Sequence, residues 1–377
     1  MTDTTSINTA SGAVEQGRSL WADAWARLRA NKAAMFSAYY IVVMAIACII
    51  GPMFTSHDFT TIYSDYTRTP PSLTAYPKPD MIDTAVSGAV RRAKIDLVGW
   101  EEKDGKIFIT VSSARAIDER VTRYIDRSDS LMNAAVVEKS ADGLKLVLSA
   151  DIERKHFFFG TDSLGRDLLT RTLMAGRISL TIGLLAGIVA VVIGVVYGAA
   201  SGFSGGKTDE VMMRIVDILY SLPFIFFVIM LVVFFGRNFI LMFLAVGAVM
   251  WLDMARIVRG QALSLKRQEY VQAAEALGVG RWGILFRHIV PNLLGPVVIY
   301  MTLLVPQVII LESFLSYLGL GVQEPMSSWG VLISQGKDNM EGATWILLFP
   351  AIFLTTTLFA LNFVGDGLRD ALDPKDR

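Results

Sequence analysis

The stretch SLKRQEYVQAAEALGVGRWGILFRHIVPN, residues 264–292, decides how the rest of the chain is read. Tyr270, Ala273, Ala274 and Leu277 recur at i, i+3, i+4 and i+7, which predicts a short helix with one apolar stripe, Glu269, Gln272 and Glu275 lying around its other sides. Gly278 ends that helix, because a helix C-terminus often requires a left-handed residue, and Gly280 loosens the corner. Trp282, Leu285, Phe286 and Ile289 repeat the spacing, Arg281, Arg287 and His288 stay polar, and Pro291 suits the start of a following helix. The stretch reads as a water-soluble helical hairpin, a docking element set between two membrane-spanning runs.

Outward from the hairpin, the composition supports that setting. Of 377 residues 53% are hydrophobic, the mean hydropathy is +0.47, and the apolar residues are bunched, which makes a polytopic membrane protein. Runs of spanning length cover about 34–54, 178–202, 215–236, 238–257, 291–315 and 343–364. Residues 19–32 place Leu20, Trp21, Trp25 and Leu28 on one side of an interfacial helix, and Arg27, Arg29 and Lys32 before the first span hold the amino terminus in the cytoplasm. Six spans return the carboxyl terminus to the same side. Arg259, Lys266, Arg267, Arg281 and Arg287 in the hairpin region agree with this, against Arg237 alone in the outer turn. Arg166, Arg171 and Arg177 disagree, falling outside. No cleavable signal peptide is read in the polar first residues, Cys48 alone allows no intramolecular disulfide, and a net charge of zero implies no nucleic-acid partner.

Gly183, Gly187, Gly194, Gly198 and Gly202 lie at multiples of four or seven in the second run and predict a groove for close packing within the subunit. Pro223, Pro296, Pro306 and Pro350 predict kinks or local unwinding. Residues 57–157 form a polar outlier expected outside the membrane. KIDLVGW with KIFITVSS, and AVVEK with LKLVLS, read as two β-hairpins, and ARAIDERVTRYIDRSDSLM between them as a helix on the spacing of Ile117, Val121, Tyr124 and Ile125.

Nothing in the chain reads as a catalytic site. His57, His156 and His288 have no metal-ligand spacing, and no glycine-rich loop ends in Gly-Lys-Ser or Gly-Lys-Thr, so any ATP must be held by another subunit. Asp217, Asp253 and Glu312 are the ionisable residues to weigh near span ends; Asp253 is expected to pair with Arg256 three residues on, and a solvated helix end accounts for Glu312. Asp162, Arg166 and Asp167 read as a glycine-broken turn with self-paired charges.

Glu269, Ala273, Ala274, Gly278, Ile289 and Pro291 resemble the EAA loop of ATP-binding-cassette (ABC) importer permeases. GTD at 160–162 with GRD at 165–167, ESFLSYLGLG at 312–321, SWG at 328–330 and GDGLRD at 365–370 resemble the C-type subunit of the dipeptide and oligopeptide branch, and that resemblance implies that the segment beginning at Glu312 lies beyond the fifth span and folds back near the outer mouth. The resemblance covers the tail, the first span and everything from about residue 158, leaving most of 73–155 outside it. It implies an all-α, six-span permease of the bacterial inner membrane; with the polar outlier read from its own residues as a small extracytoplasmic α+β insertion, the chain divides into tail and interfacial helix 1–33, first span 34–56, insertion 57–157 and permease core 158–377. Glu269, Tyr270, Ala273, Ala274, Gly278, Arg281, Ile289 and Pro291 become the ATPase-coupling residues. The implied partners are a homologous permease, two ATPase subunits carrying ATP and magnesium, an extracytoplasmic solute-binding protein and membrane lipid. This chain holds no cofactor or metal, and peptides are the expected solute. An ion-coupled secondary transporter would show paired mid-membrane charges and an internal repeat, and a membrane-anchored enzyme a catalytic constellation within 57–157; neither is visible.

Overall fold

The computed structural model describes residues 20–103, 105–236 and 239–372, so the amino-terminal tail, Asp104 and Arg237 lie outside the described residues. Helices α1 (Leu20–Ala30) and α2 (Lys32–Ile50) meet at Asn31, whose side chain accepts from the Ala34 N–H at 3.2 Å and caps α2. The interfacial helix expected over 19–32 therefore stops short of Lys32. Phe36, Tyr39, Val42, Ile46 and Ile49 are exposed at helical spacing along α2, leaving an apolar side with no partner among the described residues.

Beyond α2, the flanks of the insertion close on each other. Ser72 donates its N–H to Phe157 O at 3.1 Å, and Tyr76 and Lys155 exchange backbone bonds of 2.7 and 2.8 Å over buried Tyr66, Tyr76 and Phe157. From this stem rise α3 (Pro79–Arg92), β1 (Asp96–Lys103), β2 (Lys106–Ser112), α4 (Thr122–Ile125), β3 (Leu131–Lys139) and β4 (Lys145–Ile152). The sheet is antiparallel in the order β1-β2-β4-β3. Ile107, Ile109 and Val111 alternate on β2, Leu146, Leu148 and Ala150 on β4, and α3 lays Ile82, Val86, Ala89 and Val90 over them, so the unit has its own core.

Two readings of this region need correction. The helix expected over 114–132 shrinks to a 3₁₀ turn and the single turn α4, because β3 takes Leu131 and Met132 into its ladder with Ile152 and Asp151. Ile117, Val121 and Ile125 are all buried, so their spacing reported a buried side and not the length of a helix. Helix α3 was not foreseen, although Pro79 occupies a first-turn position and the buried residues recur at three and four.

The membrane-type helices come next: α5 (Leu168–Ser204), α6 (Gly206–Ser221), α7 (Phe224–Phe235), α8 (Phe239–Leu265), α9 (Glu269–Ala276), α10 (Arg281–Ile284), α11 (Val290–Tyr317), α12 (Trp329–Lys337) and α13 (Trp345–Leu372). Among the described residues four helices are long and apolar enough to cross a membrane, Lys32–Met53, Leu168–Ser204, Arg281–Tyr317 and Trp345–Leu372, and five if α6 and α7, bent by 81°, count as one. Pro223 marks that bend. Pro296 and Pro306 lie inside α11 and Pro350 inside α13, and both helices continue through them.

Helix α5 is the spine. Its 37 residues reach ~55 Å, well past a hydrocarbon core of roughly 30 Å, and separate the insertion from the hairpin. The glycine groove serves two partners: a Cβ at Gly194 or Gly202 would come within 2.6 Å of Met254 or Arg259 O on α8, and one at Gly183 within 2.8 Å of Ile309 on α11. At the insertion end the three discordant arginines are engaged. Arg177 donates to Cys48 O and Ile49 O at 3.0 and 2.6 Å, satisfying the last carbonyls of α2, while Arg166 and Arg171 bind Asp162.

Candidate functional site

The hairpin begins where α8 ends. Lys266 donates to Phe203 O at 2.6 Å, and two turns earlier Arg259 grips Asp209 with two bonds of 2.6 Å while Ser201 donates to the same carboxylate at 2.5 Å. These contacts tie α5, α6 and α8 together at the root of the hairpin. Gln268 then turns the chain into α9, with Glu269 in the first turn, where a carboxylate faces the positive end of the helix dipole.

Helix α9 closes in a Schellman arrangement. The Gly278 N–H donates to Glu275 O at 3.0 Å, the Val279 N–H to Ala274 O at 3.1 Å, and Gly278 has φ +79°. No heavy atom lies within 4 Å of a Cβ built on Gly278, so glycine is required there for its backbone conformation and not for space. Gly280 precedes α10, which passes through a π-helical turn, Leu285–Ile289, into α11, with Pro291 in the first turn of that helix. The second arm is therefore continuous with a membrane helix.

The buried sides of the two arms differ from the expected stripes. Val271 and Ala274 are buried in α9, whereas Tyr270, Ala273 and Leu277 are exposed; in the second arm Ile284, Leu285 and Ile289 are buried, whereas Trp282 and Phe286 are exposed. The second arm passes through the π turn over Leu285–Ile289, and Trp282 and Ile284 lie ahead of it. Val271, Ala274, Ile284, Leu285 and Ile289 join the same core as Phe203, Val258 and Ala262 of the long helices. Val271 and Ile284 were missed as anchors, although Val271 stands three residues before Ala274.

The outer side of the hairpin is an apolar surface on a polar frame. Leu277 is 84% exposed, Trp282 69%, Phe286 52% and Tyr270 41%, with the Trp282 and Phe286 rings stacked at 6.0 Å. Glu269, Glu275, Arg281 and Arg287 surround them, exposed and, among the described residues, without an ion pair. Large exposed apolar side chains rimmed by charge mark a surface for another macromolecule.

The opposite end of α5 carries the other motif residues. Asp162 accepts from the Leu164 and Arg166 N–H groups and from Arg166 Nε at 2.8 Å, and it also binds Arg171, with Gly165 at φ +84° making the turn possible. Asp167 caps α5 by accepting from Thr170 N at 2.8 Å. Arg166 reaches Glu324 at 3.0 Å and holds that carboxyl below its ordinary range. Glu312 corrects its sequence reading: it is fully buried inside α11, accepting from Ser316 at 2.7 Å and from Ser179 at 3.4 Å, and ESFLSY forms the last turns of α11, not a segment beyond it. Arg256 is also corrected, its guanidinium binding Asp217 on α6 at 2.9 Å and not Asp253.

Residues 190–377 match the family model for binding-protein-dependent transport system inner membrane components, and residues 19–71 the N-terminal transmembrane domain of oligopeptide transport permease C. The oligopeptide transport system permease protein OppC of Escherichia coli K12 is 63% identical over 227 residues, 60% of this chain and 75% of its own. The protein of the same name from Bacillus subtilis 168 is 38% identical over 359 residues, 95% of this chain and 91% of its own. The dipeptide transport system permease protein DppC of Bacillus subtilis 168 is 45% identical over 244 residues, 64% of this chain and 75% of its own. With its membrane helices, its EAA hairpin and these alignments together, the chain belongs to the ABC importer permeases, in the C-type dipeptide and oligopeptide branch.

Proposed function

We propose that this permease subunit imports peptides through a passage shared with a homologous permease, driven by two ATPase subunits that seat on the Tyr270, Leu277, Trp282 and Phe286 surface. The chain itself is a multi-pass inner-membrane permease subunit of an ATP-driven importer and not an enzyme, ATP hydrolysis lying on separate subunits. The observation that carries the rest is the division of the hairpin into an inner side locked into the long-helix core and an outer apolar side left open. A lever needs both. ATP-driven closure of the ATPases, with magnesium on those subunits, pushes the hairpin, and its unbroken passage into α11 transmits the displacement to the membrane helices.

In this reading α2, α5, the bent α6–α7 pair, α8, α11 and α13 are six spans, both termini and the hairpin are cytoplasmic, and the insertion stands outside beside the mouth where a solute-binding protein docks. Support comes from the basic hairpin region and from the length of α5 between the two ends. The test is co-purification and transport. Stoichiometric ATPase subunits with the solubilised chain, and peptide uptake into proteoliposomes that requires ATP and the binding protein, are the expected results; uptake by the chain alone on an ion gradient would overturn the reading.

A further inference from the structure

At the break between α6 and α7, a cavity of about 390 Å³ opens between those helices, α8 and the side of α11 near Leu311. Its walls are apolar and aromatic, Tyr220, Leu222, Phe224, Phe227 and Met250, with a single carboxylate, Asp253. Asp253 lies on α8 four residues before the end of the apolar run at 257, about 6 Å inside it at 1.5 Å per residue. An ionised side chain at that depth costs a few kcal/mol unless it meets water or a partner. Among the described residues Asp253 makes no hydrogen bond and no ion pair. The nearest cation, Arg256, is committed elsewhere, bound to Asp217 at 2.9 Å and lying 4.2 Å over the Tyr220 ring. Arg256 therefore faces two carboxylates, Asp217 in contact and Asp253 at longer range.

The break adds to that charge. Helix α6 ends at Ser221 beside the cavity, where Leu219 O accepts from the Leu222 N–H at 3.2 Å and the chain turns through Pro223. The carboxyl end of a helix bears the negative pole of its dipole, and broken membrane helices present such poles to cargo. Aromatic faces attract cations as well. A carboxylate, a helix carboxyl end and three aromatic rings around a cavity within the size range of ligand sites all select the same guest, an ammonium group carried on an apolar body.

We propose that this cavity is a station on the transport path that receives the protonated amino terminus of a peptide, with Asp253 as its counter-charge and Tyr220, Phe224 and Phe227 around the first side chain. The proposal rests on the peptide-import reading above, and its test separates the two. The complete transporter, in proteoliposomes with saturating binding protein, is given one peptide with a free amine and the same peptide N-acetylated, and turnover is compared between wild type and Asp253→Asn. Because the cycle compares each peptide with itself, any preference of the binding protein cancels. The expected result is a loss of tenfold or more for the free amine and less than twofold for the acetylated peptide, with Asp253→Glu restoring the free-amine rate to within threefold. Equal losses for both peptides would overturn the proposal, pointing to a structural role or a basic side chain of the partner permease as occupant. No loss for either would overturn it too. If Asp253→Asn does not assemble, Asp253→Glu decides, since loss of the amine preference in that variant also overturns it. If wild type moves neither peptide with ATP, the peptide-import reading itself has failed.

Discussion

Gly278→Val tests the hairpin as a lever. At φ +79° an L-residue is strained by about 1–2 kcal/mol, with a β-branched side chain at the upper end. No neighbour lies within 4 Å of the new Cβ, so strain is the whole effect and no clash is added. Against it stand Val271, Ile284 and Leu285, all buried, each contributing roughly 1.5–3 kcal/mol by removal from water. That sum exceeds the strain, so the hairpin stays rooted and the strain is relieved at the tip, where Leu277 and Trp282 are displaced. One to two kcal/mol changes a population by about five- to thirtyfold. In the reconstituted complex, ATP hydrolysis stimulated by the liganded binding protein should fall by that factor while membrane insertion and expression are unchanged. Gly278→Asn, whose side chain tolerates the left-handed region, should fall less than Gly278→Ala. Wild-type stimulation in a correctly inserted Gly278→Val complex would refute the reasoning.

Cysteines at Ala141 and Ser264, both exposed positions, should respond oppositely to an impermeant thiol reagent added outside intact cells, Ala141→Cys reacting and Ser264→Cys not, while buried Cys48 stays silent; the reverse pattern would invert the topology. Replacing residues 79–152 by a short turn keeps the Tyr76 and Lys155 pairing intact, so the permease should assemble with its ATPases yet show altered affinity for the binding protein in a pull-down titration; unchanged affinity and uptake would remove the insertion from docking. Gly202→Val would force a methyl-bearing carbon to within 2.6 Å of Arg259 O, and overpacking of this kind costs about 1–3 kcal/mol, read as a lower Tm in detergent. Glu324→Gln should lower Tm at neutral pH, and the difference from wild type should vanish in acid. The Glu324 carboxyl is depressed by Arg166, so its contribution is complete above the ordinary carboxylate range and is lost as pH falls through the depressed value. A difference that persists in strong acid would assign the effect to something other than that ion pair.

By itself the sequence determined that this chain is a membrane permease with a helical hairpin between two apolar runs, because run length and helical periodicity are local properties that a bilayer and a helix both read directly. It also located Gly278, since a left-handed helix end demands a residue without a Cβ and its place after an apolar repeat is visible in one dimension. Which apolar residues of the hairpin face inward was decided only by the tertiary structure. Tyr270, Leu277, Trp282 and Phe286 repeat as well as Val271 and Ile284 do, and only packing against Phe203, Val258 and Ala262 leaves the first set outside. The same holds for charges. Spacing offered Asp253 to Arg256, but the fold brings Asp217 from α6 closer and leaves Asp253 to the cavity, because an ion pair answers to distance in space and not to distance along the chain.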